Sequence, residues 1–197
     1  MGGFIPPSFF EVIPMTTEEI FNKLATHMCE GVAIHDELAK VFDFIGLWGF
    51  SKCHIYHSVE EKAGFSKLSH YYATHYFKLL QLDIIEKPKF IPETWYKYST
   101  QAVDNNTKKN TVKDLITKWV EWERSTKKFY QSMRQELTSL GELAAAIKLD
   151  SYIVDVDSEL HDAEKLLIKL ETWGYDMIEI TNYQSFLSKK YKKKLGW

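Results

Sequence analysis

The hydrophobic positions of this chain recur at steps of three and four residues over most of its length, as on one face of an α-helix. The first such stripe runs from Phe21 to Ile45. A capping box precedes it, because Thr16 is followed three residues later by Glu19, and each side chain can satisfy a backbone N–H at a helix start. The pattern predicts a first helix over roughly 17–46, which ends where Gly46 and Gly49 interrupt it.

A second stripe is clearest from Glu60 to Leu82 and is followed by a long connection. The preceding segment SKCHIYHSVEE is compatible with the first turns of this helix and also with a structured corner. Residues 83–110 carry no sustained periodicity, and they predict a crossover between opposite ends of a helical bundle. The inward positions of the second helix are Phe65, Leu68, Tyr72, His75 and Leu79.

The second half of the chain predicts two more long helices. Thr111, with Asp114 three residues later, marks the start of the third helix, and Gly141 separates it from a fourth that ends near Thr172. A shorter helical segment follows at roughly 176–194. The sequence therefore predicts an all-α four-helix bundle over about 16–172, an irregular N-terminal arm at about 1–15, and a C-terminal helix with a basic tail at about 173–197.

Composition limits the classes of function. Of 197 residues, 45% are hydrophobic and 26% are charged, which is typical of a globular protein. The formal net charge of −2 argues against a protein that binds nucleic acid over its whole surface. Cys29 and Cys53 cannot build a disulfide framework. No apolar run reaches the roughly 18 residues that span a membrane, and the opening MGGFIPPSFFEVIP lacks the features of a signal peptide. We therefore expect a cytoplasmic protein.

The candidate functional residues are the polar residues that lie on or beside the apolar stripes. They lie near the middle of the predicted helices, so antiparallel packing would bring them to a common layer. Carboxylates and imidazoles together suit iron, manganese or zinc. The candidate metal ligands are His35, His75, Glu123, Asp157, His161 and Glu164.

Each of these residues also has a structural interpretation. A histidine on an apolar face is commonly a hydrogen-bonded core residue, and Glu123 can pair with a histidine across the bundle. His54 and His57 lie beside Cys53, but the spacing lacks the second pair of ligands that a zinc site needs. Glu60 and Glu61 are interpreted as favourable negative charges at the start of the second helix.

The order of two long helices, an extended crossover and two long helices, with inward carboxylates and histidines, resembles the ferritin-like superfamily over about 16–172. The segment ELHDAEKL at Glu159–Leu166 is similar to its metal-binding helices. The resemblance extends to uncharacterised ferritin-like proteins of bacteria and their phages, and it implies iron or manganese in redox or iron handling. The chain departs from the Glu-x-x-His pattern, because Tyr72 and Ser158 stand three residues before His75 and His161.

Two other functions remain open, and enzymatic activity is not decided. One is a non-enzymatic helical interaction protein with a degraded metal site. The other is a DNA-associated protein that uses a lysine-rich tail to contact phosphates. Trp122, Phe77 and Phe129 lie off the inward stripes and predict a surface for self-association, with a dimer favoured. The candidate nucleic-acid-binding residues are Lys189, Lys190, Lys192, Lys193 and Lys194.

Overall fold

The computed structural model describes residues 15–85 and 103–196, and within these ranges it is built from α-helices without a β-strand. The all-α prediction is therefore confirmed. Residues 1–14 of the predicted arm and residues 86–102 of the predicted crossover lie outside the described residues. The helices are α1 (Thr17–Phe44), α2 (Trp48–Tyr76), α3 (Asn105–Ser139), α4 (Leu143–Thr172) and α5 (Met177–Leu195).

The first helix begins as its sequence predicts. Thr16 accepts a hydrogen bond from the backbone N–H of Glu19, and the Glu19 carboxylate accepts one from the backbone N–H of Thr16. This reciprocal capping box satisfies two amide groups that have no partner inside the helix. At the other end Gly46 has a φ of +78°, a conformation that glycine adopts without steric cost, and the chain reverses there into α2.

Of the two interpretations of the segment before Glu60, the helical one is correct. The helix α2 begins at Trp48, so SKCHIYHSVEE forms three turns of regular helix and no corner. It also ends earlier than predicted, at Tyr76, because Phe77 takes a left-handed conformation with a φ of +54°. The apolar pattern does not reveal this part of the helix. The buried side of residues 51–62 is formed mainly by histidine and serine rather than by aliphatic residues.

The third helix starts six residues before the predicted cap at Thr111. Asp104 is the N-cap, and its carboxylate accepts a hydrogen bond of 2.9 Å from the backbone N–H of Thr107. Thr111 lies inside the helix and donates its hydroxyl to the carbonyl of Thr107 at 2.8 Å. The fourth helix ends at the predicted residue, Thr172, and α5 begins behind the N-cap Asp176.

Helix α1 packs along α2, α3 packs along α4, and α5 packs against α2. The contact between α2 and α5 is very close, because a Cβ at Gly49 would lie 2.0 Å from the carbonyl oxygen of Gln184. Two apolar clusters fill the bundle. One contains Phe42, Phe50 and Trp119 near α5, and the other contains Phe21 and Tyr72 at the far end. The middle of all four long helices lies between these clusters, and it is there that buried polar residues collect.

None of the helices in the described ranges is long and apolar enough to cross a membrane.

Candidate metal centre

His35 of α1 and Glu123 of α3 face each other in the polar layer. The His35 Nε2 atom lies 3.4 Å from the Glu123 Oε1 atom, and both side chains are fully buried. The indole N–H of Trp119 donates a hydrogen bond of 2.8 Å to the same carboxylate oxygen. Burial raises the pKa of Glu123 to about 7 and lowers the pKa of His35 to about 3. A neutral imidazole thus lies beside a carboxyl group that holds its proton near neutral pH.

His54 supports His35 from the neighbouring helix. The two Nδ1 atoms are 3.2 Å apart, so one ring donates to the other, and which one donates depends on the tautomers. The Nε2 atom of His54 is buried without a hydrogen-bond partner. Burial places the pKa of His54 well below its usual value, and the adjacent His35 lowers it further. The pair therefore forms a neutral imidazole network that fixes the orientation of His35.

His57 lies one turn further along α2, between two carboxylates. Its Nδ1 atom is 3.5 Å from the Glu60 Oε2 atom and 3.6 Å from the Glu159 Oε1 atom. These separations exceed ordinary hydrogen-bond lengths, and both ring nitrogens of this buried histidine have no hydrogen-bond partner. One donor atom from each of His57, Glu60 and Glu159 can be chosen so that all lie within 4.8 Å of one another. The three groups are therefore close enough together to hold one cation.

The electrostatics of this trio are coupled. Burial alone would lower the pKa of His57, but contacts with Cys53, Glu159 and Glu60 raise it well above its usual value. Burial raises the pKa of Glu159, against the opposing effect of His57. Tyr56 donates a hydrogen bond to the Glu60 carboxylate and thereby fixes one of its oxygens. The three groups compete for the same protons in the absence of a bound cation.

Glu61 brings a further carboxylate to the layer. Burial places its pKa well above the usual value, and the neighbouring Glu159 and Glu123 act in the same direction. Its carboxylate lies against Gly31 of α1, where an added Cβ would be only 2.8 Å from the Glu61 Oε1 atom. A buried carboxylate crowded by other carboxylates is costly unless a proton or a cation neutralises it.

A cavity of about 450 Å³ opens this layer between α2 and α4. His57, Glu60 and Glu159 lie on its wall together with Tyr130 and Tyr152. Tyr152 bridges the two helices, because its hydroxyl donates to the carbonyl of Gly64 at 3.3 Å. Small ions and water in this cavity can therefore contact His57, Glu60 and Glu159.

The structure brings together His35 and Glu123 of the six predicted ligands, and it separates the other four from them. His75 is exposed in the last turn of α2, where its Nδ1 atom bonds to the carbonyl of Tyr71 at 2.9 Å. Asp157 pairs with Lys127, and Glu164 pairs with Arg124 at 2.7 Å. His161 is exposed on the same helix. These four residues do not converge: His75 lies in the last turn of α2, and the three residues of α4 are exposed or form ion pairs at the surface.

Sequence reasoning missed His57, Glu60, Glu61 and Glu159 as a group. The signal was present in α2, since His54, His57 and Glu61 recur at steps of three and four and so share one helical face. Glu159 belongs to the segment that resembles metal-binding helices, but His161 was preferred to it as the ligand. A helix start at Trp48 would have placed His57, rather than His75, level with His35.

The predicted lysine tail lies on the last turns of α5. Lys190 pairs with Asp162 at 2.9 Å, and the Lys194 ammonium lies 4.4 Å from the ring centroid of Tyr56. The side chains of Lys189, Lys192 and Lys193 are exposed. Nucleic-acid binding through these residues stays a prediction.

The residues predicted to mediate self-association lie in different settings. Trp122 and Phe129 are partly buried, and both rings contact His27 within the chain, at centroid distances of 4.6 Å and 4.3 Å. Phe77 is 90% exposed. The predicted dimer stays a prediction.

This architecture, a bundle of long helices with carboxylates and histidines in its middle layer, is the ferritin-like fold. The chain is similar to a solved open-pore ferritin from the archaeon Archaeoglobus fulgidus, with a TM-score of 0.72, 19% sequence identity, and coverage of 89% of this chain and 97% of that one. A humanized archaeal ferritin matches with a TM-score of 0.71 and 20% identity, covering 87% and 94% of the two chains. A variant of PmFTN soaked in iron matches with a TM-score of 0.69 and 11% identity, covering 85% and 96%. The ferritin-like fold predicted from the sequence is confirmed.

At the level of sequence, no family model matches the chain, and no curated protein matches it either. These low identities establish the fold alone.

Proposed function

We propose that the protein binds one or two iron ions in the middle layer of its bundle and serves in iron handling or redox chemistry, with manganese as the alternative ion. The observation that carries the proposal is His57, a fully buried imidazole with no hydrogen-bond partner on either nitrogen, held between the carboxylates of Glu60 and Glu159. Buried histidines without partners are rare in folded proteins, and a cation bound by all three groups would give the Nδ1 atom of His57 a partner.

The set of available donors fits iron. Di-iron proteins with this fold use four carboxylates and two histidines. Here the carboxylates are Glu60, Glu61, Glu123 and Glu159, and the histidines are His35 and His57. Their distribution differs from the usual one, since α2 supplies two carboxylates and α1 supplies a histidine. Imidazole nitrogens suit iron and carboxylate oxygens suit manganese, so this donor set is compatible with either ion.

The surrounding residues hold the donors in position. Trp119 fixes Glu123, Tyr56 fixes Glu60, and His54 fixes His35. Such contacts set the orientation and basicity of ligands and strengthen metal binding. A bound iron ion would supply one-electron chemistry, while the carboxyl groups of Glu61 and Glu123 would release their protons as it binds.

The similar solved structures support iron as the first ion to test. The neighbours include ferritins, and one is a PmFTN variant that was soaked in iron. The proposal of iron for this chain draws on that likeness together with the donor set described above.

Anaerobic titration of chelator-treated protein with Fe(II), followed by elemental analysis after gel filtration, tests the proposal. We expect at least one ion per chain and a rise in melting temperature, since a ligand at 100 times its Kd stabilises a protein by about 2.7 kcal/mol. His57→Gln and Glu159→Gln should lose the ion. The matched controls His75→Gln and His161→Gln alter exposed histidines of the same helices and should keep it.

The competing interpretation is a structural network of buried polar groups in an interaction protein. It requires that wild type retains no Fe or Mn and that its melting temperature does not respond to either ion. That pair of results would refute metal binding.

A further inference from the structure

The outer face of α4 carries a strip of exposed aliphatic side chains. Leu143 is 59% exposed, Ile147 66%, Val154 67% and Ile168 61%. The last three and the exposed His161 are spaced seven residues apart, at positions 147, 154, 161 and 168. Seven residues make nearly two helical turns, so side chains at this spacing lie almost in line, with a drift of about 20° per repeat. We call Leu143, Ile147, Val154, His161 and Ile168 the α4 strip.

The α4 strip is not part of the core of its own bundle. The side of α4 that packs inward is formed by other residues, among them Ala145, Leu149, Leu160 and Leu170. Helix α3, which packs along α4, has no exposed large hydrophobic side chain within its described length. Single exposed apolar residues are ordinary on protein surfaces, but an aligned set of them marks a surface that binds another apolar surface.

The charged residues that flank the α4 strip are largely neutralised within the chain. On the side facing α3, acidic residues of α4 recur every seven residues, and each pairs with a basic residue of α3. These pairs are Asp150–Arg134, Asp157–Lys127 and Glu164–Arg124. The opposite flank has the same spacing and holds Ser151, Ser158, Lys165 and Thr172. Paired charges and small hydroxyl groups cost less to cover than isolated charges do, so this surface is suited to contact with another protein.

The order of residues along the α4 strip is complementary to itself. In an antiparallel pair of α4 helices with a two-fold axis at His161, each residue lies level with the residue at the same distance on the other side of His161. Val154 and Ile168 are both seven residues from His161, so each lies level with the other in the second copy. Lys165 and Asp157 are both four residues from it, so an ammonium group comes level with a carboxylate on both sides of the axis. A parallel pair would instead bring Lys165 level with Lys165 and Asp157 level with Asp157.

We propose that a second copy of the chain covers the α4 strip, and that the two α4 helices pack antiparallel about a two-fold axis at His161. Each copy contributes Val154 and Ile168 to two equivalent apolar contacts, one on either side of the axis. From Ile147 to Ile168 the strip extends over roughly 30 Å at 1.5 Å per residue, and helix pairs interdigitate over such lengths in seven-residue repeats. None of the proposed metal ligands belongs to the strip, so the association does not require a bound metal ion.

Sedimentation velocity of the full chain over a series of concentrations up to about 100 µM tests the proposal. We expect wild type to form a dimer that dissociates on dilution, in metal-free and in iron-treated protein alike. Val154→Lys and Ile168→Glu should each weaken the association by about tenfold or more, because each places a charge without a partner in both apolar contacts. The double variant Val154→Lys, Ile168→Glu should recover the association to within about threefold of wild type, because the two new charges of opposite sign then face each other between the copies.

Phe77→Lys and Ile178→Glu are the controls, because they alter side chains outside the strip that are 90% and 70% exposed. Both should leave the association within about twofold of wild type. A wild type that stays monomeric at about 100 µM would overturn the proposal. So would single variants of the strip that associate as well as the controls, or a double variant that fails to recover. Loss of association in Phe77→Lys with full association in Val154→Lys would overturn it in favour of the surface predicted from the sequence.

Discussion

The carboxylate of Glu61 occupies the space beside Gly31 that any larger residue would need. A Cβ at residue 31 would lie 2.8 Å from the Oε1 atom and 2.9 Å from the Cδ atom of Glu61. Gly31 is in the interior of α1, where glycine costs roughly 0.5–1 kcal/mol relative to alanine. Helix stability therefore does not account for glycine at this position. Gly31 leaves room for the carboxylate of Glu61 in the polar layer.

Gly31→Ala should lower metal affinity with little loss of stability. The added methyl group displaces the end of a flexible side chain, so the gain in helix propensity offsets much of the packing cost. We expect a change of less than about 1 kcal/mol in the free energy of unfolding. Iron affinity should fall by about tenfold or more, as for loss of a ligand or its support. Urea denaturation and competitive chelator titration measure the two effects.

Gly64→Ala is the control for this change, because its Cβ would meet only Tyr152 at 3.6 Å and Met28 at 4.0 Å, which are ordinary contacts. It should stabilise the chain by about 0.5–1 kcal/mol and leave iron affinity unchanged. If Gly31→Ala binds iron as well as Gly64→Ala does, Glu61 has no part in the centre.

Much of the fold could be predicted from the sequence because four helices carry long apolar stripes. The capping box at Thr16 and the end of α4 at Thr172 were predicted correctly. The errors occurred where polar residues face inward, as at His54 and His57, since periodicity of apolar residues cannot detect a helix whose buried side is polar.

The candidate site was predicted less completely for the same reason. His35 and Glu123 lie on otherwise apolar stripes and were found, and the structure places them 3.4 Å apart. His75 was expected in the middle layer because the apolar stripe of the second helix is clear only from Glu60 onwards, whereas the helix begins at Trp48, about three turns earlier. Which residue of α4 faces the cluster depends on how the helix is rotated about its axis. The sequence pattern fixes the position of the helix only to within a few residues, so it does not single out Glu159 from its neighbours.

Glu123→Gln should separate the metal function from the structural one. Glutamine keeps an oxygen that can accept the Trp119 N–H, so the hydrogen bond of 2.8 Å can persist. We expect a change in unfolding free energy of about 1 kcal/mol or less and a marked loss of iron affinity. Chemical denaturation and metal analysis on the same preparation measure both.

Glu123→Leu is the companion variant, since it leaves the buried Trp119 N–H without an acceptor. Its cost should be about 1–3 kcal/mol. Retention of iron by both variants would show that Glu123 serves packing alone.

His27 should make the stability of the chain depend on pH. Burial lowers the pKa of His27 to about 4, and its ring stacks on Trp122 while its Nε2 atom contacts the Thr126 hydroxyl at 2.9 Å. The unfolded chain binds a proton near pH 6.5 and the folded chain near pH 4, so the unfolded state holds more protons in between. The contribution of His27 to the free energy of unfolding is therefore fully present above about pH 6.5. It is lost as the pH falls towards 4, and the loss is at most about 3 kcal/mol.

Urea denaturation of wild type and His27→Gln at intervals from pH 4 to pH 8 measures this dependence. The variant should show a shallower loss of stability below pH 6.5, whereas His70→Gln, at an exposed position of α2, should follow wild type. Parallel curves for wild type and His27→Gln would show that the His27 ring does not resist protonation.

Gly49→Ala should detach α5 from the bundle. The new Cβ would lie 2.0 Å from the Gln184 carbonyl oxygen and 2.8 Å from its Cα atom, and backbone atoms cannot move aside as a side chain end can. We expect a loss of about 3 kcal/mol in the free energy of unfolding, the upper part of the usual range for overpacking. Hydrogen exchange should localise the effect to the amides of α5, with α3 and α4 little changed.

The same variant tests whether α5 protects the metal centre. The ring centroids of Tyr191 in α5 and His57 in α2 are 5.9 Å apart. If α5 leaves the bundle, water reaches His57, which is only 3% exposed in the intact chain. Iron should then dissociate faster from Gly49→Ala, with the ligands themselves unaltered, and stopped-flow transfer to a chelator measures that rate. An unchanged dissociation rate together with freely exchanging α5 amides would show that the four long helices hold the ion without α5.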